Sequence, residues 1–121
     1  MLIRSLADCQ EIIAGDGCRL RELLHPDKER LDIRYSLAHA TVPPGQTTKP
    51  HCLTTSEVYY IIEGSGRMFI DDQSRPVGPG DTVYIPPGAS QYIENTGEAD
   101  LTFLCIVDPA WQPYDEEIFE D

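Results

Sequence analysis

From Cys18 onward, short apolar runs are cut again and again by turn residues. "CRLRELL" ends at His25-Pro26, "DIRYSLAHATV" at Pro43-Pro44-Gly45, and "SEVYYIIE" at Gly64-Ser65-Gly66. "RMFI" stops at Asp71-Asp72-Gln73-Ser74, "DTVYIP" at Pro87-Gly88, "SQYIEN" at Thr96-Gly97, and "DLTFLCIV" just before Pro109. The ten prolines and nine glycines would break long helices, yet many of them fall between the apolar runs, where turn geometry favours them. Repeated short strands at this spacing predict an all-β, antiparallel sandwich or barrel. The one helix candidate is residues 8–14 (DCQEIIA), with Asp8 as a cap and Gly15 as a stop.

A chain of 121 residues without a composition break fits a single domain, which buries roughly two thirds of its unfolded surface on folding. The formal net charge of −12 opposes both nucleic-acid phosphates and anionic lipid, so neither nucleic acid nor membrane is expected as a partner. Arg4, Asp8, Glu11 and Asp16 interrupt the first 18 residues, which therefore read neither as a secretory leader nor as a membrane span; a cytoplasmic protein is expected. Cys9, Cys18, Cys52 and Cys105 form no CxxC pair, so they read as reduced, mostly buried thiols. The ending "PYDEEIFED" carries five carboxylates and reads as a solvated tail.

The chemistry concentrates in two segments. In residues 45–64, G-QTTKP-H-C-L-TTS-E-VYYIIE-G, alternation along an extended chain turns His51, Leu53, Glu57, Tyr59 and Ile61 to one face. In residues 80–95, G-DTVYI-P-P-G-AS-Q-YIE-N, the Pro86-Pro87-Gly88 turn is followed by Gln91, Ile93 and Asn95 on one face. An imidazole and a carboxylate therefore share a cavity.

These segments resemble the paired signatures of the cupin superfamily, G-x5-H-x-H-x3-E-x6-G and G-x5-P-x-G-x2-H-x3-N. Every glycine, proline and spacer matches, and residues 65–79 have the intermotif length of a small single-domain cupin. The resemblance implies a double-stranded β-helix or jelly-roll barrel over residues 33–108, with an N-terminal extension (1–32) holding the short helix and an extra edge strand, and an acidic tail (109–121). It also implies a homodimer, since small cupins often pair through their N-terminal strands.

The family's metal is usually held by three histidines and a glutamate. Here the first histidine is His51 and the glutamate is Glu57, but the second histidine falls on Leu53 and the third on Gln91. His51, Glu57 and the Gln91 amide oxygen would form a reduced, oxygen-rich set suited to a divalent manganese, iron or zinc ion, with Tyr59, Leu53 and Ile93 lining the ligand pocket. Alternatively, Gln91 only hydrogen-bonds Glu57 or a ligand and the cavity is metal-free. One placed histidine argues against dioxygenase chemistry; isomerase or lyase chemistry needs only a Lewis acid and an acid or base.

The leading expectation is a small-molecule-binding cupin whose ligand is a sugar or small carboxylic acid. A metal-dependent sugar isomerase or lyase is the alternative, as is a metal-free interaction module with Leu53, Ile61 and Ile93 filling the cavity. His39 reads as a satisfied or solvent-facing side chain more readily than as a substitute ligand, and His25, before Pro26, reads as surface. Tyr59 is either a core aromatic or a hydroxyl donor to ligand, Cys52 points away from His51 as a small hydrophobe, and Trp111 plugs one end of the barrel. Gly64-Ser65-Gly66 is a hairpin turn, because Phe69 stands where a dinucleotide fingerprint needs its third glycine.

Overall fold

A computed structural model describes residues 1–119. The strands are β1 (Glu11–Ile13), β2 (Arg19–Leu24), β3 (Ser36–Val42), β4 (His51–Leu53), β5 (Ser56–Glu63), β6 (Gly66–Ile70), β7 (Gln73–Val77), β8 (Thr82–Ile85), β9 (Gln91–Asn95), β10 (Leu101–Asp108) and β11 (Glu116–Ile118). They form two antiparallel sheets, ordered β1-β2-β3-β10-β5-β8 and β11-β4-β9-β6-β7. This is the expected all-β jelly roll. Two single 3-10 turns, Leu6–Asp8 and Pro113–Asp115, are the only helical elements among the described residues, and none of those residues forms a helix long and apolar enough to cross a membrane.

Alternation builds the core. On β10, Leu101, Phe103, Cys105 and Val107 are buried between partly exposed neighbours, and register sets Phe103 between Ala40 and Ile61. On β9 the buried positions are Gln91, Ile93 and Asn95. Asn95 is structural: its Nδ2 donates to the carbonyls of Val42 (2.9 Å) and Ala99 (2.8 Å), and its Oδ1 accepts from the Gly97 N–H (2.8 Å). The side chain that ends the second motif thus stitches β9 to β3 and to the turn before β10.

Gly64 ends β5 with φ +92°, and a Cβ there would stand 2.5 Å from the Asp100 carbonyl oxygen and 2.8 Å from Leu101 Cα. Both obstacles are backbone. Gly64→Ala is therefore expected to lose roughly 2–3 kcal/mol, from positive φ and forced separation of the β5–β6 turn from β10. Denaturant unfolding checks this, and a loss below about 0.5 kcal/mol would mean the turn re-forms without strain.

Four local expectations are corrected. The predicted helix over 8–14 shrinks to the 3-10 turn, and Glu11–Ile13 is a strand instead, because Ile12 pairs with Leu20 of β2 and the sheet ladder outweighs a short, weakly capped helix. The segment after Ile70 turns for only two residues before β7, whose Pro76 is tolerated because β7 is an edge strand. The acidic ending is not simply solvated: Glu116–Ile118 pairs with β4, while Glu120 and Asp121 lie outside the described residues. His25 is buried, not surface. Its Nδ1 accepts the Asp27 N–H (3.1 Å), which fixes the hydrogen on Nε2 for donation to the Trp111 carbonyl (2.7 Å).

Candidate functional site

The two motifs meet where β4 lies beside β9, with His51 directly opposite Gln91. β5, in the facing sheet, supplies Glu57 and Tyr59. The Tyr59 hydroxyl donates to Gln91 Oε1 (3.0 Å), and Gln91 Nε2 donates to Glu57 Oε1 (2.8 Å), a continuous chain across the barrel interior. Phe103 holds the Tyr59 ring, centroid to centroid at 4.4 Å. Burial pushes the Glu57 carboxyl up to about 8; the Gln91 hydrogen bond opposes this, and the charges of Asp16 and Glu116 add to it. Burial and then the Glu57 charge drive the Tyr59 hydroxyl well above its ordinary range, so it serves as a neutral donor.

His51 is only 3% exposed. Its Nδ1 sits 2.9 Å from the Lys49 carbonyl, so Nδ1 carries the hydrogen and donates it. In the neutral ring this leaves the Nε2 lone pair free, and the neighbour of that atom is Asp16 Oδ2 at 3.8 Å, beyond hydrogen-bonding distance. His51, Glu57 and Tyr59 all line a cavity of about 260 Å³, together with Asp16, Glu116 and Trp111. Lys28 also reaches this cavity, but its ammonium is paired with Glu22 at 2.6 Å. The polar end of the cavity is therefore acidic.

Asp16 and Glu116 are functional candidates that sequence reasoning missed. Asp16 belongs to the turn between β1 and β2, where its Oδ1 accepts the Cys18 N–H (3.1 Å). Glu116 starts β11 opposite Leu53, so both side chains face one way. Burial raises the Glu116 carboxyl, offset by His51 and by the Trp111 indole. The only signal in the sequence was the alternation of Glu116 with Ile118 in a stretch dominated by charge.

Other expected positions fall elsewhere. Leu53 and Ile93 are buried but do not line the cavity. Neither does Gln91, which is 1% exposed and sits behind Glu57. His39 lies on the outer face of β3 beside Arg21, and burial followed by the Arg21 charge lowers its pKa. Trp111 does line the cavity, and Cys18 and Cys105, both free and buried, form part of its wall.

Among the described residues, no three His, Cys, Asp or Glu side chains are already gathered as a metal site. The donor chemistry nevertheless fits a divalent ion: a buried imidazole with its free nitrogen turned inward, its other nitrogen anchored on a backbone carbonyl, and carboxylates on the same cavity. Gln91 is engaged on both sides, its amide oxygen accepting from Tyr59 and its amide nitrogen donating to Glu57, and it does not line the cavity.

Residues 38–107 match the cupin domain. The chain belongs to the cupin family. An uncharacterised protein of Methanocaldococcus jannaschii is 44% identical to this cupin over 109 residues, covering 89% of the chain and 86% of the relative. An oxalate-binding protein of Thermotoga maritima is 35% identical over 88 residues, covering 72% and 68%. The polyketide cyclase RemF of Streptomyces resistomycificus superposes with a TM-score of 0.82 at 22% identity, covering all of this cupin and 87% of RemF, a likeness of fold.

Proposed function

We propose that this cupin binds a small molecule, a sugar or small carboxylic acid, through a divalent cation held at the polar end of the cavity by His51 and Glu57. The observation that carries the reading is the His51 ring, fixed through Nδ1 with Nε2 turned to a cavity that Glu57 also faces. Gln91 orients Glu57 from behind in place of ligating. When bound, the cation supplies Lewis-acid polarisation and open positions for ligand oxygens. The acidic lining supports this, because a carboxylic acid entering beside Asp16, Glu57 and Glu116 needs a cation between them. The oxalate-binding relative is consistent with such a ligand. Leu53, Ile61 and Ile93 pack the core without filling the cavity, which weakens the reading as a metal-free interaction module.

A second reading, a metal-dependent sugar isomerase or lyase, draws on one observation. Glu57 and Tyr59 both line the cavity and are joined through Gln91, which places a carboxyl and a hydroxyl together as candidate acid and base. Gln91 would keep both groups in place while the Tyr59 hydroxyl gives a proton to ligand.

Protein purified without chelators is expected to carry a divalent metal in elemental mass spectrometry, and His51→Ala to lose most of it. Added oxalate should bind the metal-loaded protein and not the chelated one. Equal metal content in wild type and His51→Ala would sink the reading.

A further inference from the structure

One carboxylate from outside the matched residues 38–107 stands opposite position 53, and a second reaches the same cavity beside His51. Glu116 stands directly opposite Leu53 in the β4–β11 register, so its side chain projects on the face where a histidine at 53 would have projected. Asp16 reaches the same cavity from the β1–β2 turn, and its Oδ2 lies 3.8 Å from His51 Nε2. That gap is too long for a hydrogen bond. Both atoms therefore keep a lone pair for a cation that would be held between them.

The scaffold fixes Asp16 and sets Glu116 close to it. The Lys49 N–H donates to the Asp16 carbonyl (2.7 Å), clamping the turn onto the residue whose own carbonyl anchors His51. Asp16 Oδ1 is held by the Cys18 N–H, which leaves Oδ2 for the cavity. The two newcomers are neighbours: a Cβ on Gly15 would stand 2.7 Å from Glu116 Oε1. His51, Asp16 and Glu57 each have an orienting contact behind them, as metal ligands do.

Resting on the reading that His51 and Glu57 hold a divalent cation, we propose that Asp16 and Glu116 supply the two donors that Leu53 and Gln91 do not, giving a one-imidazole, three-carboxylate site assembled from both ends of the chain. Such a set, with one nitrogen and otherwise oxygen donors, prefers a hard ion of the manganese type over soft ones. The N-terminal turn and β11 are then parts of the site, and removing either should cost cation affinity.

The test is calorimetric titration of the chelator-treated full chain with Mn²⁺, for wild type, His51→Ala, Asp16→Asn, Glu116→Gln and the outward-facing control Glu117→Gln, with thermal unfolding to verify that each is folded. Asp16→Asn and Glu116→Gln are each expected to weaken Mn²⁺ by about ten-fold or more. Glu117→Gln is expected to stay within about two-fold, as an exposed charge screened by salt. If His51→Ala loses Mn²⁺ while Asp16→Asn and Glu116→Gln, both folded, bind like wild type, this inference is overturned and the two-residue reading stands. If Glu117→Gln falls as far as they do, only net charge is at work and the inference is overturned as well. If wild type binds no Mn²⁺, the underlying reading falls and takes the inference with it.

Discussion

Exchanging Glu57 for glutamine is expected to flatten the pH dependence of stability in chelated protein and to stabilise it in mild alkali. The folded carboxyl titrates at about 8 against an ordinary value of 4.5, with burial as the main cause. Between those two pH values the folded protein keeps a proton that the unfolded chain has already released, so wild-type stability falls as pH rises through this window. The loss is on the order of a few kcal/mol by pH 8–9, since each tenfold change in proton affinity corresponds to about 1.4 kcal/mol and relaxation of the site reduces the full amount. Glutamine never ionises, and its carbonyl still accepts the Gln91 Nε2 hydrogen bond that Glu57 Oε1 accepts now. Thermal unfolding in chelator from pH 5 to 9 should therefore show curves that converge at low pH and separate by roughly 10 °C at the high end. Glu116, also raised by burial, leaves a smaller slope of the same sign in the variant. Parallel curves would mean that Glu57 is ionised in the folded state throughout. A saturating divalent ion should restore wild type at pH 8, because a bound cation compensates the buried charge that the metal-free site cannot.

The same burial that holds a proton on Glu57 also separates what the sequence displays of the site from what it conceals. His51, Glu57 and Tyr59 were legible because strand alternation places them on one face, and the structure does bring them to one cavity. Gln91 stood equally well in the sequence as a ligand or as a hydrogen-bond partner of Glu57; it lies opposite His51 in the register and its Nε2 donates to Glu57. Asp16 and Glu116 were invisible for a different reason. Neither belongs to a periodic run inside the barrel: one is carried in by a turn, the other by a three-residue strand whose pairing with β4 comes entirely from tertiary contact. The short edge strands β1, β7 and β11 escaped for the same cause, since three to five residues carry too little periodicity to show a face. His25 was misjudged because a proline and an aspartate beside it suggest a turn at the surface, whereas the segment around Trp111 folds over that turn and buries it.

The largest loss of stability is expected from Phe103→Ala. Phe103 is 1% exposed, lies between Ala40 and Ile61 in the register, and carries the Tyr59 ring against it. Removing a fully buried ring from such a position costs roughly 3–5 kcal/mol, the lost transfer energy plus the void that the sheets cannot close. Phe103→Leu keeps much of the volume and should cost less than about 2 kcal/mol. Because Phe103 also lines the cavity, the alanine variant has a second consequence: Tyr59 gains room to tilt, and its hydroxyl is what holds Gln91 and, through it, Glu57. Denaturant unfolding gives the first quantity. Comparing Mn²⁺ affinity of the leucine and alanine variants under conditions where both remain folded gives the second, with the alanine variant expected to bind more weakly. Equal affinities alongside the full stability loss would show that Glu57 is held in place without help from the aromatic pair, and that the core and the site are energetically separate.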